Sequence, residues 1–322
     1  MKQIRCGVIG VGYLGEFHAE KYATLPQAEL IGVCDTNKKR ADEVAQKFNT
    51  KAFYDQQELL NQVDAVSIVV PTSLHHAVAK ACLEQDKHVL LEKPITTTVA
   101  QAEELIRIAK AKQLTLQIGH LERYNSVLLA VEKMIHEPRF IESHRLSIFN
   151  PRNTDVNVML DLMIHDIDII QYLVKAPITN IRANGTAILT PYTDIVNARI
   201  EFANQCVANV TASRVSFRRE RRMRLFQSNA YITFDMHKKH VSYHCKGLKE
   251  MFPGIPEIIS EEKDIEDNDA LNFEISDFIK AILENKPPKV SGEDGKNALH
   301  TAILITESVK NQFTPATEEV NA

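Results

Sequence analysis

Residues 4–35 constrain this chain more than any other stretch. An apolar run from Ile4 to Ile9 reads as a buried strand and stops at Gly10-Val11-Gly12-Tyr13-Leu14-Gly15, a G-x-G-x-x-G. A helical pattern follows through Tyr22. A second apolar run, Glu29 to Cys34, ends in an acid, Asp35, twenty residues past the last glycine. Each part has a mechanical job. Gly10 makes a tight turn, Gly12 lets backbone approach a pyrophosphate, and Gly15 lets helix and strand pack closely. N–H groups at the helix start, around Tyr13 and Leu14, face the anion. Asp35 accepts hydrogen bonds from ribose hydroxyls. A dinucleotide-binding βαβ unit is the expectation.

The alternation continues. Asp64–Val70, His88–Leu91 and Leu114–Ile118 read as strands separated by helical patterns, with caps offered by Thr36-Asn37 and Thr96-Thr97-Thr98. This predicts an α/β domain with a doubly wound parallel sheet, whose ligands lie outside the carboxyl ends of the strands. Pro71-Thr72, Glu92-Lys93-Pro94 and His120 fall at such ends and join Gly10 and Asp35 as cofactor-site candidates. His75, just inside the helix after Thr72, is another. After Arg123 the pattern changes. Val196, Ala198, Ile200 and Phe202 alternate with polar residues, Asn204-Gln205 suggests a two-residue turn, and Cys206 to Ala212 alternate on the way back. That predicts an α+β domain with an open, mainly antiparallel sheet. Val158–Leu173 reads as one helix, and 270–284 and 292–312 as two closing helices that are expected to pack back against the first domain. The expected domains are 1–123, dinucleotide-binding, and 124–322, for substrate binding and oligomerisation.

Composition excludes several classes. The net charge of −4 implies no general affinity for nucleic acid or anionic membrane, and no apolar run approaches the length of a membrane span. The five cysteines show no C-x-x-C spacing, and with no signal-peptide pattern they suggest a reducing cytoplasm.

Two places carry chemistry. Lys93, at a strand end before proline, can donate a hydrogen bond to a substrate oxygen and hold its changing charge. Asp161, His165 and Asp168 recur at i, i+4 and i+7 on one face of an apolar helix. His165 suits proton transfer near neutral pH, and Asp161 can orient it. Metal ligation is a rival reading of this D-x-x-x-H-x-x-D, and His165-Asp166 also fits metal phosphohydrolases of the HD type. No further His/Asp cluster completes a shell, so no metal is expected.

Gly10-x-Gly12-x-x-Gly15, Glu92-Lys93-Pro94 and the Asp161/His165 pair together resemble the glucose–fructose oxidoreductase and inositol dehydrogenase family, Gfo/Idh/MocA, essentially from end to end. The resemblance implies a Rossmann domain, an NAD(P)-dependent oxidoreductase acting on a sugar hydroxyl, and catalysis by Lys93 and His165 with help from Asp161. Gly119-His120-Leu121-Glu122-Arg123-Tyr124-Asn125 and Pro151-Arg152-Asn153-Thr154-Asp155-Val156-Asn157 resemble a narrower subset that acts on nucleotide-linked amino sugars. There a glycine is expected where Asn157 stands. Substrate contacts are expected from Lys93, Arg123, Arg152, Asp161 and His165, the arginines facing a diphosphate. The expected substrate is a UDP-linked N-acetylhexosamine, oxidised at its 3-hydroxyl. A free sugar or polyol such as myo-inositol, and a non-catalytic NAD-binding regulator, are the alternatives. Asp35 favours NAD over NADP, and Lys38, Lys39 and Arg40 close behind it read as the solvated face of a helix rather than as partners for a 2′-phosphate. The arginines from Arg214 to Arg224 read as a solvated hairpin face. A homo-oligomer, dimer or tetramer, is expected through the open face of the second sheet.

Overall fold

A computed structural model of the protein describes residues 3–150 and 156–311. The chain forms two compact units, Met1–Tyr124 with Asp269–Leu299, and Asn125–Asn268 with His300–Ala322.

The first unit strings together β1 (Ile4–Ile9), α1 (Tyr13–Thr24), β2 (Ala28–Cys34), α2 (Lys38–Lys47), β3 (Lys51–Phe53), α3 (Gln56–Leu60), β4 (Ala65–Ile68), α4 (Thr72–Glu84), β5 (His88–Glu92), α5 (Val99–Ala111) and β6 (Leu116–Gly119). The six strands are all parallel, in the order β3-β2-β1-β4-β5-β6. This is the doubly wound Rossmann order, with its switch point between β1 and β4. The expected caps form. Asn37 accepts from the Arg40 N–H at 3.2 Å, and Thr98 from that of Gln101 at 3.3 Å.

The second unit contains α6 (Ser126–Val131), β7 (Phe140–Leu146), α7 (Ile164–Val174), β8 (Ile178–Thr186), β9 (Ile195–Phe202), β10 (Val207–Ser213), β11 (Glu220–Phe226), β12 (Ala230–Asp235), β13 (His240–Phe252) and β14 (Ile255–Asp264). Its eight strands run in the order β14-β13-β12-β11-β7-β10-β9-β8. All pairs are antiparallel except β10 with β7. Along β9, Val196, Ala198, Ile200 and Phe202 are buried, as period-two patterning requires.

Two helices follow, α8 (Ala270–Glu284) and α9 (Gly292–Asn311), and the division between the units falls inside α9. The stripe Leu271, Ile275, Phe278 and Ile279 of α8 enters the core built from Cys6, Val8, Tyr22 and Val33. Full burial of a large apolar side chain is worth about 1.5–3 kcal/mol. That stripe therefore places 269–299 with the first unit, although it follows the second in sequence.

Two local expectations are corrected. The β9–β10 turn spans three residues, Ala203 to Gln205, closed by the Phe202 N–H on the Cys206 carbonyl at 2.9 Å. Gln205 takes the left-handed conformation, φ +67°, that such loops need. The helix read as one piece over 158–173 opens with a π-turn, Met159–Met163, and becomes α-helical only at Ile164.

Candidate active site

The Gly-rich turn of the first unit is built as its sequence implies. Gly10 has φ +85°, and a Cβ there would stand 2.6 Å from the Val69 carbonyl oxygen. A Cβ on Gly15 would meet the Gly10 oxygen at 1.9 Å, so α1 can cross β1 this closely only with glycine at that position. Beside Gly12 the space is open. This turn borders a cleft of about 490 Å³ lined by Gly10, Gly12, Asp35, Asp55, Pro71 and Leu74, among others. The cleft is at the carboxyl ends of β1, β2 and β4. Its size and its open approach to the Gly12 backbone fit a dinucleotide. Tyr13 and Leu14 are exposed at the start of α1, and Thr72 opens α4.

Asp35 is held by two backbone N–H groups, Val11 to Oδ2 at 2.9 Å and Asn37 to Oδ1 at 2.8 Å. Each carboxylate oxygen keeps lone-pair capacity for a ribose hydroxyl. Arg40 is committed elsewhere. Its Nε donates to the Val11 carbonyl at 2.7 Å and its guanidinium pairs with Glu16.

Two cofactor-site candidates, His75 and Glu92, are fastened inside the unit. His75 is buried, with Nδ1 2.8 Å from the Pro94 carbonyl and Nε2 3.0 Å from that of Val70. Burial pushes its ring below the usual histidine range, against the pull of those carbonyls. Glu92 turns its carboxylate to His18 Nε2 at 3.2 Å and to the Lys93 N–H at 3.2 Å. Burial works to raise its pKa, but the His18 hydrogen bond, with the charges of His18 and Lys93, outweighs burial and lowers it. The Lys93-Pro94 peptide is cis, and Lys93 is half-buried. His120 is buried just beyond β6.

Arg123 does not stand open to a ligand. Its side chain is 2% exposed and meets Asp294 at 3.4 Å within the first unit. Arg152 lies outside the described residues.

In the second unit, Asn157 caps the π-turn that carries Asp161, its Oδ1 accepting from the Leu160 N–H at 3.0 Å. Asparagine thus serves where glycine was expected. The Val158 N–H is anchored on the Thr193 carbonyl at 3.0 Å, and Arg214 donates to the Val156 carbonyl. Asp161 and His165 are both half-buried. Asp166 is not available for the HD-type reading. It is 1% exposed and receives Arg145 in a bidentate pair, at 2.6 and 3.3 Å. Of the basic run, Arg218, Arg219, Arg221 and Arg222 are exposed, whereas Arg214 is buried.

Sequence reasoning missed His18. Its signal was there, since Gly15, His18, Ala19 and Tyr22 recur at i, i+3, i+4 and i+7 on the buried face of α1. A lone histidine on such a stripe calls for partners.

Among the described residues no helix is long and apolar enough to cross a membrane. Residues 4–120 match the oxidoreductase family with an NAD-binding Rossmann fold, GFO/IDH/MocA, and residues 131–233 match the GFO/IDH/MocA C-terminal domain. The chain is 40% identical to UDP-N-acetylglucosamine 3-dehydrogenase of Acidithiobacillus ferrooxidans, over 96% of this chain and 98% of that one. It is 27% identical to scyllo-inositol 2-dehydrogenase (NAD(+)) of Bacillus subtilis, over 96% and 95%. A solved structure of the Acidithiobacillus ferrooxidans enzyme superposes with a TM-score of 0.90 at 38% identity, covering 97% of this chain and 99% of that one. A Gly-rich turn shaped for a pyrophosphate, a six-stranded parallel sheet in dinucleotide order, and two family matches covering both units lead to one placement: the chain belongs to the GFO/IDH/MocA family of oxidoreductases.

Proposed function

We propose that the protein is an NAD-dependent dehydrogenase that oxidises the 3-hydroxyl of UDP-N-acetylglucosamine or a closely related UDP-linked N-acetylhexosamine. The observation that carries this is the 40% identity to a UDP-N-acetylglucosamine 3-dehydrogenase across the full length of both chains. NAD rather than NADP is supported by the cleft. A 2′-phosphate would face the carboxylates of Asp35 and Asp55, and Arg40 is committed to Val11 and Glu16.

NAD+, when bound, supplies the hydride acceptor, so the secondary alcohol loses two electrons and becomes a ketone. Gly10, Gly12, Gly15 and the α1 N-terminus would hold its pyrophosphate, and Asp35 its ribose hydroxyls. Lys93 donates a hydrogen bond to the substrate oxygen. His165 takes the hydroxyl proton, and Asp161 orients its ring. Arg152 is the remaining arginine assigned to the diphosphate, because the structure turns Arg123 towards Asp294.

The chain works as a homo-oligomer in this reading. A row of rings on one sheet face, Phe140, Phe226, Tyr231 and His244, supports a contact there, with neighbouring centroids 4.6–5.8 Å apart. A monomer by light scattering at micromolar concentration would remove that part.

The substrate is tested by following nicotinamide reduction with NAD and candidate alcohols. Turnover with UDP-N-acetylglucosamine is expected. Turnover with scyllo- or myo-inositol alone would overturn the substrate assignment.

A further inference from the structure

A hydrogen-bonded file of side chains crosses the first unit beneath Lys93. Tyr22 OH is 2.8 Å from Ser67 Oγ, Ser67 Oγ is 3.1 Å from His18 Nδ1, and His18 Nε2 is 3.2 Å from Glu92 Oε1. Glu92 Oε2 then accepts the Lys93 N–H. Three elements contribute, α1, β4 and β5. Tyr22, His18 and Ser67 are fully buried, and the Glu92 side chain is 12% exposed. Its direction is fixed at the carboxylate end, where Glu92 accepts from His18 Nε2. The Ser67 hydroxyl lies between His18 Nδ1 and Tyr22 OH and can donate to one while accepting from the other. Opposite Glu92 across β5 and β6 stands Gly119, where a Cβ would lie 2.9 Å from the carboxyl carbon, so this pose of the side chain needs glycine there.

We infer that His18 is a positioning residue of the proposed reaction, which orders and ionises Glu92 so that Lys93 is held as an ammonium that polarises the substrate oxygen while the proton leaves by way of His165. The inference rests on the reading of Lys93 given above. The groups around Glu92 agree with it. On α1 these are His18 and Tyr22. On β4 there is Ser67, which is neutral, on α4 His75, whose ring feels the Glu92 charge but is held below its usual range by burial, and at the end of β5 Lys93 itself. On α8 they are Glu274 and, further along, Asp277. Glu274 is fully buried, and its carboxyl is held far above the usual range by burial and by the charges of Glu92 and Asp277. A proton on Glu274 leaves the negative charge on Glu92, next to Lys93. Without His18, burial would favour protonating Glu92, and the negative charge beside Lys93 would be lost.

The test uses the full chain with NAD and UDP-N-acetylglucosamine. His18→Leu is expected to lower kcat about tenfold or more and to shift its pH profile, with the KM for NAD within about twofold. His18→Gln, whose amide N–H can replace Nε2–H, is expected to restore most of the loss. A second readout needs no turnover. Carbon-13 reductive methylation, with the Lys93 resonance assigned by its absence in Lys93→Arg, gives the Lys93 titration midpoint, which should fall in both His18→Leu and Glu92→Gln. Because His18 acts through Glu92, adding His18→Leu to Glu92→Gln should change neither readout further. A parent-like pH profile and an unmoved Lys93 midpoint in folded His18→Leu overturn the inference, as does an equal further loss in the Glu92→Gln background. A Lys93→Ala variant with parent turnover overturns the catalytic reading of Lys93 instead, and the Lys93 midpoint still reports separately on His18.

Discussion

Glu274→Gln should make the protein more stable, and by an amount that grows with pH. Glu274 lies on α8 with no exposure, and neither carboxyl oxygen has a hydrogen-bond partner among the described residues. Burial is the main force raising its pKa, followed by the charges of Glu92 and Asp277. The group therefore stays protonated in the folded protein at pH values where the unfolded chain releases the proton. Below the unfolded pKa, about 4.3, both states are protonated and pH has no leverage. Above it the folded state holds one proton more than the unfolded state, so stability falls by about 1.4 kcal/mol per pH unit until the folded group ionises. Glutamine keeps the shape and removes the titration. Between about pH 5 and about pH 7 the variant should gain on the parent with that slope for as long as the folded group keeps its proton. The chain has no tryptophan, so urea unfolding is best followed by far-ultraviolet circular dichroism. Glu274→Leu should show the same pH dependence, whatever its absolute stability. A stability difference that stays constant across this range, in both variants, would show that Glu274 is ionised in the folded protein and refute the reasoning.

Other outcomes follow from the same geometry. His165→Ala should lose about 10²- to 10⁴-fold in turnover while binding NAD normally, and turnover within a few-fold of the parent would make His165 structural. Removing one partner of the buried Arg145–Asp166 pair, as in Arg145→Met, should cost about 3–5 kcal/mol by denaturant titration, because a carboxylate is stranded in the core. Gly15→Ala puts a methyl where the Gly10 oxygen stands, so NAD should give no thermal shift in that variant. In the parent, NAD at 100 times its dissociation constant should add about 2.7 kcal/mol.

The first unit was the more legible because its signals are local. A strand, three glycines and an acid at fixed spacing specify a turn that could be checked atom by atom at Gly10 and Gly15. The caps at Asn37 and Thr98 are equally local. The π-turn over 159–163 was not legible, since Val158–Leu173 carries one continuous helical pattern. The chain entering it is held by partners distant in sequence, the Thr193 carbonyl on the Val158 N–H and Arg214 on the Val156 carbonyl. The return of α8 to the first unit was legible as an apolar stripe on a closing helix, but its partners in the core, Cys6, Val8, Tyr22 and Val33, are distant in sequence and were not.

The candidate site divides along the same line. Residue types chosen for chemistry, Lys93 and the Asp161/His165 pair, could be picked out by position on an element. Their support could not. A buried arginine reads in sequence as a ligand for phosphate, and only the 2% exposure of Arg123 and its partner Asp294 assign it to the scaffold. Conversely, His18 and Glu274 are spaced as ordinary core positions, and burial alone turns them into groups whose protons matter. Charge in water is cheap and uninformative, whereas charge taken out of water must be paired, neutralised or used. In the first unit it is neutralised on Glu274 and paired on Glu92. The counter-charge that results is fixed next to Lys93, the residue assigned to the substrate oxygen.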